Sequence, residues 1–433
     1  MSSAIFMRLF FLVIFALPWS NTLGLPNGSV ASPSKSGSTS TTMGLSSDPK
    51  IISKNEGTLP PVTCAGESEK ILYLYNWADY IPKLLIEKFQ KETGIHIVYD
   101  VFDSVEVLEA QLLLDTRYDV VFPPAWPVFS RGIDTHRFLP LRKDWIPNMR
   151  NIDPNISSKL GNADPGLAYG IPYLWGTTGI GYDRNAILAR APKAPLDSWG
   201  LLFDPRWAHL IKDGHIFLLD SVTDVLQAVL LYLGQSPNTQ DPAVWDSAVA
   251  HIMTVRPYLE AFEGSKQMEN LLTGNAELIQ GFSTYIQMAM DENTNPQRDI
   301  RYIIPKEGSV IWIDMMVIPY NAPHPQNAHL FLDFVLRPEN MALCTNTMKA
   351  ANAVPASYDR IDPKLRENPI VFPNAQTMKR IYPDFLPTAS LSRHLCRQWC
   401  KIKMNYRPSS SFWSFWSFWP FSKLCKKEIK KPS

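Results

Sequence analysis

The chain has 433 residues, of which 45% are hydrophobic and 12% aromatic, with a formal net charge of +1. This length supports two domains of ordinary size and this apolar share a large core, which excludes a globally disordered chain. The charge balance carries no basic excess of the kind a nucleic-acid partner demands, and the odd, scattered set Cys64, Cys344, Cys396, Cys400 and Cys425 implies no disulfide framework.

Residues 1–24 read as a secretory signal. A weakly basic start to Arg8 is followed by an apolar run over 9–19 and by the small residues Thr22 and Gly24, with cleavage expected after Gly24. The run is short for a membrane span, although an uncleaved anchor fits the same composition. Residues 25–68 are rich in Ser, Gly, Thr and Pro and read as a disordered spacer. Order is expected from about Lys70: a strand over 71–75, a helix over 81–93, a strand over 96–101, a helix over 105–114 and a strand over 118–122. Alternation at this spacing predicts a mostly parallel sheet with crossover helices, an α/β fold. Two extended segments, 167–173 and 177–182, follow, joined through Trp175-Gly176. A second α/β set comprises a strand over 215–220, helices over 222–233, 244–254 and 267–274, and strands over 301–304 and 310–318. A helix over 325–336 ends at Arg337-Pro338. Residues 404–433 form a tail with Phe-Trp triplets between Ser411 and Trp419 and a lysine cluster from Lys423 to Lys431. Aromatics beside lysines fit contact with a membrane surface; a low-complexity extension without a role has the same composition.

The stretch Tyr75-Asn76-Trp77-Ala78-Asp79-Tyr80 stands where the first strand ends and the first helix begins. Ligands of open α/β sheets bind at the carboxyl ends of strands. Trp77 and Tyr80 offer ring faces and Asp79 a negative charge, which together suit an organic cation. Two core aromatics and an N-capping Asp explain the hexapeptide equally well. His394-x-Cys396-x3-Cys400 lacks the second paired knuckle of a metal site. Gly176-x-x-Gly179-x-Gly181 lacks the dinucleotide spacing, so hinge and turn glycines are expected and no cofactor is called for.

Several segments taken together resemble the polyamine-binding subunits of bacterial ABC importers, nearest to the putrescine-binding branch. They are Tyr75 to Tyr80, Lys91-Glu-Thr-Gly-Ile95, Tyr99 to Ser104 with Glu106 to Glu109, Trp175-Gly-Thr-Thr-Gly-Ile-Gly-Tyr182, Ile304 to Gly308, Trp312-Ile-Asp314 and Phe334 to Pro338. The resemblance runs from about Lys70 to Lys403. It implies a two-lobed periplasmic binding protein of type II, with the ligand cleft between lobes joined by crossing segments near Trp175, Ile313 and Asn352. The lobes would be 69–174 with 314–352, and 175–313 with 353–403. It further implies a polyamine ligand of the putrescine or spermidine class, ABC permease subunits as partners and a periplasmic location. The pocket carried over by matching position is Trp77, Asp79 and Tyr80 from the first loop, Trp126 from the third-strand loop, Asp224 before a helix, Phe282, Tyr285, Trp312 and Asp314. The chain departs from the putrescine branch at Ala78, Pro124, Tyr285 and Ala350, where hydroxyls or a carboxylate are expected, and at Phe282, where a ring is kept. A diamine needs a carboxylate near each ammonium and aromatic walls for its methylenes.

Two other readings compete. Paired carboxylates with tryptophans also suit a secreted glycosidase-like hydrolase, but no serine nucleophile elbow, His-Glu-x-x-His or phosphate-loop lysine is present. A binding-fold sensor for another cationic amine is the second.

Overall fold

The computed structural model describes residues 69–114, 117–161 and 163–404. The signal, the spacer and the aromatic tail beyond Met404 therefore lie outside the described residues.

Strand β1 (Ile71–Trp77) runs parallel to β2 (His96–Phe102) and β3 (Val120–Val121). Helix α1 (Lys83–Thr93) crosses between β1 and β2 and buries Leu85 and Phe89, one turn apart. Each buried side chain of this size contributes about 1.5–3 kcal/mol. The helix starts two residues later than the apolar spacing suggests because Pro82, with φ −63°, ψ 129°, occupies the N-cap. It stops at Gly94, whose φ of 71° favours glycine. Helix α2 (Val105–Leu113) is capped by Ser104, whose side chain accepts from the Val107 N–H. The short β3 replaces the longer expected strand because Pro123 and Pro124 end the ladder.

The two extended segments expected around Trp175 are one strand. β4 (Gly170–Asp183) has 14 residues, every one buried. β5 (Ile216–Leu218), β6 (Leu259–Phe262), β7 (Leu278–Phe282), β8 (Ile300–Ile303) and β9 (Ser309–Val317) follow. The first half of β4 pairs antiparallel with β9 and the second half with β7 and β8. The strand order is β2-β1-β3-β9-β4-β7-β5-β6. β4 and β9 thus run through the middle of the molecule.

Two hydrophobic cores flank this middle. The first is built from residues between Leu72 and Trp175 and between Ile311 and Ile381. The second is built from residues between Ile180 and Leu278, with Leu391, Leu395 and Ile402. A smaller cluster around Leu271, Ile286 and Tyr302 packs near the second. Helix α3 (Val222–Tyr232) belongs to the second core, α4 (Ser283–Glu292) contributes Ile286 and Ala289 to the smaller cluster, and α5 (Pro325–Val335) and α6 (Pro338–Met348) belong to the first core. The expected boundary after Asn352 is displaced. β10 (Ala351–Asn352) pairs with Trp175 and Leu174 of β4, and the Asn352 amide donates to Thr345 Oγ1 and Ser357 Oγ. These bonds turn the chain back, so Ala353, Val354, Ile361, Leu365 and Val371 pack in the first core. The chain leaves that core along β11 (Ile381–Pro383), parallel to the start of β9, and enters the second with Phe385 and helix α7 (Ala389–Met404).

Candidate functional site

Asp314 lies in the middle of β9, bridged across to Pro124, and is 9% exposed. Burial pushes its carboxyl up to about 7; Tyr80 and Trp77, whose polar hydrogens face it, hold it below the value burial alone would give. Neither closes a full hydrogen bond. The Tyr80 hydroxyl, Trp77 Nε1 and Trp312 Nε1 are buried without a hydrogen-bond partner in the protein. Unpartnered buried donors are uncommon and costly. A group that draws the carboxylate toward Tyr80 and Trp77 would offset part of that cost.

The loop that presents Trp77 and Tyr80 is braced by its own backbone. The buried Asn76 side chain accepts from the Trp77 N–H at 2.8 Å. Tyr99 donates to the Trp77 carbonyl at 3.1 Å, and Tyr173 donates to the Tyr80 carbonyl at 3.2 Å. Asp79 sits at the tip, exposed, with φ 51°, a left-handed conformation that Asp tolerates better than most residues. Tyr285, on the first turn of α4 and 39% exposed, comes from the opposite side. Its hydroxyl pKa is raised by burial first and then by the charges of Asp314 and Asp79. Five candidates from three distant segments therefore converge: Trp77, Asp79, Tyr80, Tyr285 and Asp314.

Trp312 and Phe282 pack against each other. Their rings meet edge to face, with centroids 6.3 Å apart. Gly176, opposite Trp312 in the β4–β9 ladder, makes this possible: a Cβ there would lie 2.3 Å from Trp312 Cζ2 and 2.6 Å from Ser283 Oγ. Trp126 packs in the first core two residues beyond the Pro124–Asp314 bridge.

Asp224 sits elsewhere. It begins α3, accepts from the Thr178 hydroxyl at 3.1 Å and has its pKa raised by burial. Its neighbours are Ser221, Thr178, Gln280 and Asp384. Thr178 pairs with Phe282 across β4–β7, which links Asp224 to the Phe282–Trp312 ring pair. Asp384 was not among the sequence candidates. It follows β11 in Pro383-Asp384-Phe385 without periodicity or motif, so the sequence offers no signal for it. Two surface hollows, of about 330 and 320 Å³, are lined by none of these residues. His394 pairs with Asp246 at 2.7 Å, away from Cys396 and Cys400, which are exposed.

Two α/β cores joined by long buried strands, with acids and aromatic rings gathered along those strands, define a two-lobed binding protein of the periplasmic type II fold. The family model for bacterial extracellular solute-binding proteins matches residues 85–373, and the chain belongs to that family. It is 38% identical over 360 residues to a putrescine-binding periplasmic protein of Pseudomonas aeruginosa, covering 80% of this chain and 97% of the relative. It is 33% identical over 346 residues to a putrescine-binding periplasmic protein of Escherichia coli, covering 79% and 93%. Among solved structures, the spermidine/putrescine ABC transporter substrate-binding protein of Streptococcus pneumoniae superposes with a TM-score of 0.68 at 27% identity, covering 78% of this chain and 99% of that one.

Proposed function

We propose that the protein is an extracytoplasmic solute-binding subunit that captures a polyamine at the junction of its two lobes and delivers it to an ABC permease. The convergence on Asp314 carries the reading. A buried carboxyl meets Trp77 and Tyr80 from one segment and Tyr285 from another, with Phe282 and Trp312 as a wall. An ammonium placed there gains a charge-assisted bond to Asp314 and cation–π attraction to the rings. Asp79, which acts on Tyr285 together with Asp314, offers a carboxylate for a second charge. Relatives named for putrescine and spermidine support the same ligand class and a periplasmic location. They do not support the hydrolase reading, since they are named for binding and transport.

Calorimetry with putrescine, spermidine and spermine, followed by recovery of the amine, tests this. Saturable binding and return of an unaltered amine are expected. Turnover of a ligand, or no heat with any amine, would overturn it.

A further inference from the structure

The carboxyl of Asp384 and that of Asp224 share one site on the second-lobe side of the junction. Asp384 follows β11, whose Pro383 pairs with Ile311 of β9, so it stands next to the strand that carries Trp312 and Asp314. It accepts from Gln227 Nε2 at 3.0 Å and from the Phe385 N–H at 2.8 Å. Gln227 lies one helical turn after Asp224 on α3 and is 0% exposed; its amide also reaches Asn238 Oδ1 at 3.4 Å. Gln280, 1% exposed, donates to the Asp224 carbonyl at 2.8 Å.

Two buried acceptors here are left over. Gln227 Oε1 and Gln280 Oε1 are both buried with no partner in the protein, and two carboxyls adjoin them. Each carboxyl is destabilised as an anion: burial raises both, and the Asp224 charge raises Asp384 further, to about 7. No lysine or arginine acts on Asp224, Asp384 or Asp314 among the described residues. Two unpartnered amide oxygens beside two adjacent acids lack hydrogen-bond donors and positive charge. An alkylammonium supplies both.

We propose that Asp384, with Asp224, Gln227 and Gln280, forms a second cation station that makes this protein select a triamine or longer polyamine over a diamine. The inference rests on the polyamine reading above and refines it. Asp79 and Asp314 both act on Tyr285, and Asp224 acts on Asp384, so the four carboxyls fall into two pairs. Four carboxyls exceed the two charges of a diamine, and the surplus is matched by a chain with a third ammonium.

The test is calorimetry of the wild-type protein and of Asp384→Asn with putrescine and spermidine, with circular dichroism as a check on folding. The wild type should bind spermidine at least tenfold more tightly than putrescine, about the worth of one charge-assisted contact. Asp384→Asn should reduce spermidine affinity about tenfold more than putrescine affinity. Equal wild-type affinities, or a preference for putrescine, would overturn the proposal without any variant. An equal loss for both amines in a folded Asp384→Asn protein would also overturn it. Absence of binding by every amine would instead remove the polyamine reading itself.

Discussion

Replacing Asp314 by Asn should move affinity and stability in opposite directions. The variant keeps the side-chain volume and an acceptor oxygen, but it loses the charge. Loss of one charge-assisted contact to an ammonium costs about 1.5–3 kcal/mol, roughly a tenfold to hundredfold rise in Kd. In the ligand-free protein the same charge is a burden. The carboxyl is held at about 7 against an ordinary 3.8, so the folded state binds its proton more tightly than the unfolded chain does. The penalty is absent below about pH 4, grows as pH rises and is complete above about pH 7. Its size is on the order of 4 kcal/mol for a shift of this kind. Asp314→Asn should therefore unfold at a higher temperature than the wild type at pH 8 and at a similar temperature at pH 4, while binding polyamine more weakly at pH 8. Calorimetric titration and thermal melts by circular dichroism read both quantities. Unchanged affinity in a folded variant, or a lower melting temperature at pH 8, would refute the placement of Asp314.

Binding should release protons, because Asp314 and Asp384 both titrate near neutrality and an ammonium favours their charged forms. Affinity should fall by about tenfold per pH unit for each carboxyl below pH 7; titrations in two buffers of different ionisation enthalpy would show it, and a pH-independent Kd between 5 and 8 would contradict it. Gly176→Ala should displace Trp312, since the new Cβ falls 2.3 Å from its ring, lowering stability by about 1–3 kcal/mol in urea unfolding and weakening polyamine binding.

The first half of the fold was legible because its signals are local. β1 alternates half-buried and buried residues from Ile71 to Leu74 and then runs buried to Asn76, α1 carries Leu85 and Phe89 four apart, and Gly94 marks its stop. The cluster around Asp314 was legible only through matching segments, because Trp77, Tyr285 and Asp314 are brought together by pairings of β9 with β3 and β4 that no single segment encodes. The single strand β4 was hidden by the join at Trp175-Gly176, which looks like a break in the sequence, yet Trp175 continues the ladder with β9 and Gly176 lies under an indole. The return of the chain to the first core after Asn352 depends on one buried amide network. Asp384 depends on the register of β11 against β9. Both are long-range facts, and composition and periodicity do not report them.

A crystal structure of the protein with a bound polyamine tests the central claim most directly. The account predicts one ammonium within hydrogen-bonding distance of Asp314, with the methylene chain against Trp312 and Phe282. An amine bound in either surface hollow, or at the junction without contact to Asp314, would contradict it.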